Sequence, residues 1–170
     1  MSSNRSSSVV PTKILVPIDF SPSSHAALDA ASELAEKFHA EVFLLNVIPE
    51  FPNVSLPDSI TEAAVIEKAR QEADHRFAVS QKALSSKGII VKSAVEVSND
   101  VAGTILEVIE REEADLAVIT THGLSGWYPH VFGSIAEKVI KLAQCPLLLL
   151  RTPKPETSAK VPFSRSMEWW

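Results

Sequence analysis

The chain has 170 residues, 45% of them apolar and 22% charged, with a formal net charge of −5. That suffices for one domain with its own core, and the negative balance without clustered Lys and Arg argues against a nucleic-acid surface. A single cysteine, Cys145, excludes an internal disulfide and a CxxC metal knuckle. A Ser-rich start without the apolar run of a secretory signal, and no stretch of membrane-spanning length, point to a soluble cytoplasmic protein with no membrane partner.

Residues 13–19 begin the ordered pattern. Ile14, Leu15, Val16 and Ile18 form a short apolar run, as expected of a strand buried on both faces. Ser21-Pro22 reads as a helix start, with Ser21 as N-cap and Pro22 in the first turn. That helix should reach about Phe38, with Ala27, Leu28, Ala31, Leu34, Ala35 and Phe38 on one face. A second apolar strand covers 41–47. Pro49, Pro52 and Pro57 then mark a long ordered loop or a mobile lid.

Ser59 with Glu62 resembles a capping box, opening a long helix to about Ser86 that Gly88 ends. Ile66, Ala69, Ala73, Phe77 and Leu84 should face inward. A third strand is expected at 89–97. Asn99-Asp100 opens a third helix with Val101, Ile105, Val108 and Ile109 buried. A fourth strand spans 116–120, a Gly-containing loop spans 121–133, and a fourth helix runs from Ser134 to Leu142. Its inward residues are Ala136, Val139, Ile140 and Ala143. A fifth strand, 147–150, closes the pattern.

Strands alternating with helices, without hairpin signals, imply an α/β fold with an open, five-stranded parallel sheet covered on both faces. Crossovers should be right-handed. Such sheets bind ligands beyond the carboxyl ends of their strands. The reading divides the chain into a disordered Ser-rich N-terminus (1–11), a domain (12–151) and a C-terminal tail (152–170) ending in Trp169-Trp170.

Three features carry possible chemistry. Pro17-Ile18-Asp19 places a carboxylate at the end of the first strand, where it can accept from a sugar hydroxyl or base amine, or order the turn into the first helix. Gly123, with Gly126 and Gly133 in the same loop, allows close backbone approach to a ligand or supplies turn geometry. Gly133-Ser134 opens the fourth helix, where unsatisfied N–H groups and the helix dipole favour an anion. Ser134 and Glu137 also fit a capping box.

Several familiar sites are missing. Neither a Walker P-loop nor a G-x-G-x-x-G fingerprint occurs, and Trp127 stands where a nucleophile elbow would need its last glycine. His122 and His130 lie in the glycine loop without obvious metal partners, so no metal site is assigned. Cys145, ahead of Pro146, reads as a packed small residue.

Taken together, these segments resemble the universal stress protein family. Lys13-Ile14-Leu15-Val16-Pro17-Ile18-Asp19-Phe20-Ser21 is similar to the family's opening strand and turn, and Leu44-Leu45-Asn46-Val47-Ile48 to its second strand. Thr120-Thr121-His122-Gly123 through Phe132-Gly133-Ser134, with Ala136-Glu137-Lys138-Val139, is similar to its nucleotide loop. Cys145-Pro146-Leu147-Leu148-Leu149-Leu150-Arg151 resembles its closing strand. The likeness spans 12–151 and implies strand order 3-2-1-4-5, the adenine-nucleotide alpha-hydrolase-like arrangement.

The ATP-binding members of that family carry Gly-x2-Gly-x9-Gly followed by Ser or Thr. Gly123, Gly133 and Ser134 match its later positions, and Thr120 stands at the first glycine. The resemblance implies ATP or AMP as ligand, with Mg when ATP is bound, and no redox cofactor. It places Pro17, Ile18, Asp19 and Val47 at the adenosine, Ile119 and Thr120 where the chain leaves the fourth strand, and Gly123, Gly133, Ser134 and the Ile135 amide at the phosphates. It also implies a homodimer through 147–150, where an apolar sheet edge needs cover. The expected role is binding in a stress response, with at most slow ATP hydrolysis, since no residue stands out as a general base. The alternatives are a nucleotide-free dimeric interaction protein of the same family, or an ATP-dependent enzyme. The enzyme needs a glycine-rich loop after the first strand, where Phe20-Ser21-Pro22-Ser23-Ser24 stands instead.

Overall fold

The computed structural model describes residues 10–50, 61–121 and 133–151. The elements are β1 (Lys13–Pro17), α1 (Pro22–Phe38), β2 (Glu41–Ile48), α2 (Glu62–Ser85), β3 (Val91–Val97), α3 (Val101–Arg111), β4 (Leu116–Thr120), α4 (Ser134–Leu142) and β5 (Leu147–Leu150). The strands form one parallel sheet in the order β3-β2-β1-β4-β5. The chain thus winds outward from β1 in one direction and then, after β3, in the other. The reversal leaves the carboxyl ends of β1 and β4 side by side without a connection crossing between them, the usual place for a ligand on such a sheet.

The period-two alternation of β1 explains why two helical layers form. Ile14, Val16 and Ile18 pack with Ala27, Ala31, Ala35 and Phe77 on the α1–α2 side. Leu15 faces the other way, with Phe43, Leu45, Ile105, Val108, Ala117 and Val139 on the α3–α4 side. Both faces of the central strand are dry, and Ile14, Leu15 and Val16 have no exposed surface. The alanines of α1 let that helix sit close to the sheet.

Local punctuation sets most boundaries. The Ser21 hydroxyl accepts from Ser24 N–H at 3.1 Å and caps α1, with Pro22 in its first turn. Asp100 caps α3 through Gly103 N–H at 2.9 Å. Gly88, at φ +79°, turns the chain after α2 where a side chain would be strained.

Several expectations are corrected. The β1 ladder ends at Pro17, because Phe20 adopts φ +61° and swings the chain away from the sheet, although Ile18 N–H still reaches Leu45 O at 2.7 Å. β3 begins at Val91, because Ile89 N–H closes back on Leu84 O. The cap of α2 is Thr61, whose extended backbone and hydroxyl acceptor for Ala64 N–H start the helix at Glu62, and not Ser59. Ser59 itself lies outside the described residues, as do Pro52, Pro57, the N-terminus before Val10, and the tail with Trp169 and Trp170. No helix among the described residues is long and apolar enough to cross a membrane.

Candidate functional site

At the carboxyl ends of β1 and β4 lies a cavity of about 370 Å3, within the size range of small-molecule sites. Pro17, Ile18 and Asp19 come to it from β1 and the following turn, Val47 from β2, Ile119 and Thr120 from β4, and Gly133, Ser134 and Ile135 from the start of α4. Four segments far apart in sequence thus place these nine residues around one space. Gly123 and Gly126 lie outside the described residues, with His122, Trp127 and His130.

The turn after β1 is tightly built. Asp19 Oδ1 accepts from Ser21 N–H at 3.0 Å, so the carboxylate orders the turn and also lines the cavity. Phe20 is a bulky residue in the left-handed region, an uncommon and strained state. Its ring is held from above by α2, with Phe77 at 5.4 Å between centroids and the Arg76 guanidinium at 5.0 Å. Packing on the far side of the turn therefore fixes the direction in which Asp19 leaves the strand.

Asn46 is a functional-site residue that the sequence reading does not identify. It is buried, and its Nδ2 donates to Ile18 O at 2.7 Å, tying β2 to the turn at the cavity wall. The signal was a single amide inside the apolar run 42–47, since buried polar side chains need a partner. Thr121, also buried, anchors the other side: its N–H donates to Leu150 O and its carbonyl accepts from Gly133 N–H, at 3.0 and 2.9 Å.

The α4 end differs from the sequence expectation. Its N-cap is Gly133, no side chain caps it, and the Ser134–Glu137 box does not form. Gly133 is tied to Thr121 O, which makes Ser134 the first helical residue, and Glu137 turns instead to Lys141 at 2.6 Å. Two consequences follow. The Gly133 N–H is occupied within the protein. The N–H groups of Ser134, Ile135 and Ala136 precede the first intrahelical bond, Glu137 N–H to Gly133 O, and with the exposed Ser134 hydroxyl they border the cavity.

A surface clamp holds α4 to α3. Lys138 Nζ contacts both Asp100 oxygens, at 2.9 and 2.7 Å. Lys138 and then the Gly103 N–H hold the exposed Asp100 carboxyl below the usual carboxylate range. Gly103 leaves room for it, since a Cβ there would stand 2.5 Å from Asp100 Oδ2. Val101 and Ile105 of α3 line the same cavity as α4, so the clamp spaces two of its walls.

The sequence profile of the universal stress protein family matches residues 11–151. The chain belongs to the universal stress protein family. The universal stress protein MJ0531 of Methanocaldococcus jannaschii is 35% identical over 145 residues, covering 85% of this chain and 84% of its own. The solved structure of MJ0577, from the same organism, superposes with a TM-score of 0.73 at 28% identity, covering 86% of this chain and 99% of that one. A universal stress protein in complex with cAMP gives a TM-score of 0.57 at 22% identity over 84% of this chain and 98% of its own. One from Archaeoglobus fulgidus in complex with dAMP gives 0.58 at 19% identity over 82% and 98%. At the last two identities the likeness is one of fold.

Proposed function

We propose that this universal stress protein binds an adenine nucleotide in the cavity between β1, β4 and α4, and acts through that binding in a stress response. The observation that carries the reading is the joining, in one space, of an apolar slot to a helix start with unsatisfied N–H groups. A nucleotide needs both, a dry surface for the base and dipoles for phosphate. In this reading Ile18, Val47 and Ile119 pack the adenine, and Asp19 accepts from the ribose or the base amine. Ser134 and the Ile135 N–H meet phosphate together with Gly123, while Gly133 contributes close approach and not its N–H. Thr120 crowds the exit of β4 and weakens binding without abolishing it. Relatives of this fold in complex with cAMP and dAMP support an adenine ligand.

The same proposal takes residues 12–151 as the working unit, in the cytoplasm, as a homodimer paired through β5. That strand is an outer strand of the sheet, and its four leucines are only half-buried. ATP, if bound, would bring Mg with it. Mass spectrometry of small molecules released from protein purified without added nucleotide is expected to show an adenine nucleotide. The rival is a nucleotide-free dimer, favoured by Thr120 at the position of the family's first glycine. It wins if calorimetry shows no heat with millimolar adenine nucleotides and Thr120→Gly restores it.

A further inference from the structure

The pairing of β1 with β2 stops one bond short of where its geometry would carry it. In a parallel pair, a residue facing the partner strand donates to one carbonyl and accepts from the N–H two residues further on. Thr12 O takes Glu41 N–H and Ile18 N–H reaches Leu45 O, whereas Val42 N–H turns to Ile90 O on the β3 side. The odd-numbered residues of β2 therefore present their backbone groups toward β1, and Val47 N–H is the next donor in line for Ile18 O. Among the described residues that bond is not made. Ile18 O accepts instead from Asn46 Nδ2, at 2.7 Å.

The exchange of donors occurs at the cavity. Val47 lines it, and just beyond Ile18 the left-handed backbone of Phe20 carries the chain away from the sheet. On the period of the strand, Asn46 shares the face of Val42 and Leu44, packed on the apolar α1–α2 side, and is itself buried. A buried amide is costly to place there. Cohesion alone would be served by an apolar residue, with Val47 N–H completing the ladder. The amide does what an apolar residue cannot: it satisfies Ile18 O and leaves a backbone donor at the cavity wall. Resting on the nucleotide reading above, we infer that Asn46 is a positioning residue of the site. By taking Ile18 O it ends the β1–β2 ladder early, holds the peptide that leads into Asp19, and releases Val47 N–H for a hydrogen-bond acceptor of the base, such as a purine ring nitrogen.

Amide hydrogen exchange at single-residue resolution on the full chain, with AMP as the probe, tests this. Without ligand, Val47 N–H is expected to exchange at least about tenfold faster than Leu45 N–H, which lies inside the ladder, and saturating AMP should slow it. A Val47 N–H as protected as Leu45 in the unliganded protein overturns the role of Asn46, whether or not AMP binds. So does AMP that binds and leaves Val47 exchange unchanged. Absence of AMP binding, with Val47 N–H fast, removes the nucleotide reading and leaves the interrupted ladder standing. Asn46→Leu, close in size and without a donor, should let Val47 N–H close on Ile18 O. Its Val47 exchange is expected to be slow without ligand, its AMP affinity to fall about tenfold, and its urea midpoint to hold or rise. A midpoint that falls, with Val47 exchange still fast, makes the Asn46 bond a purely structural one.

Discussion

Two aspartates stand near opposite ends of the central strand and do different work. At the amino end, Asp115 accepts from Thr12 N–H, the Thr12 hydroxyl and Lys13 N–H, at 2.9, 2.5 and 3.0 Å. This knot joins the start of β1 to the start of β4, and Lys13 Nζ adds a bond to Glu112 O at 2.8 Å. At the carboxyl end, Asp19 accepts from Ser21 N–H, beside a strained Phe20, and faces a cavity. One carboxylate is surrounded by local donors; the other shapes a turn and opens onto space that a ligand can fill. The contrast separates an end of the sheet held by a dense knot of hydrogen bonds from the end at which we propose the nucleotide binds.

The comparison breaks most sharply at Asp115. Asp115→Ala removes an acceptor from three donors and is expected to cost about 2–3 kcal/mol in urea unfolding, with nucleotide affinity unchanged. A loss of affinity in the folded variant would mean the two ends are coupled. Asp19→Ala should do the opposite. Its affinity for AMP should fall about tenfold, ~1.4 kcal/mol, with a stability loss smaller than that of Asp115→Ala. Equal losses in both measurements would erase the distinction.

Gly133→Ala sharpens the picture on the recognition side. Its new Cβ would lie 3.2 Å from Thr121 O, so the start of α4 must shift by a few tenths of an ångström. Affinity is expected to fall a few-fold, and stability by about 1 kcal/mol or less. The smallest expected effect is a pH dependence at the α3–α4 clamp. Asp100 has a lowered pKa in the folded protein because of Lys138 and the Gly103 N–H. Its contribution is therefore present above the unfolded carboxylate pKa and lost as pH falls through the lowered value. The stability advantage of wild type over Asp100→Asn should shrink between about pH 7 and about pH 3. An advantage that grows on acidification contradicts the clamp.

Strong local chemistry was legible in the sequence. Ser21-Pro22, Gly88 and Asp100 mark boundaries because a cap, a left-handed turn or an Asx bond is decided by neighbouring residues. The apolar runs of β1, β2 and β4 implied a sheet covered on both faces, and its strand order followed from family resemblance. The failures have a common cause. Ser59-Glu62 and Ser134-Glu137 both fit a capping box, yet Thr61 caps α2 and Gly133 precedes α4. At α4 the deciding bond, Gly133 N–H to Thr121 O, ties the helix start to the end of β4, and a four-residue pattern cannot register it. Asn46 is inconspicuous in the sequence for a similar reason. Its bond to Ile18 O joins two strands, while in the sequence it is one amide among apolar neighbours. Thr120 stands out in the sequence by its place in a motif, and its position beside Leu150 at the cavity rim emerges only with the sheet register.

Gly103 makes the wall between α3 and α4 vulnerable to the least of all side chains. A single methyl there would occupy the place of the Asp100 carboxylate. The carboxylate can rotate out of the way, but in doing so it abandons the backbone it caps and the ammonium it restrains. Alanine at this surface position would then fray the first turn of α3 and let α4 drift, without touching the cavity. The hydrogen atom at position 103 is in this sense a spacer between two helices, and the shape of the pocket is inherited from it.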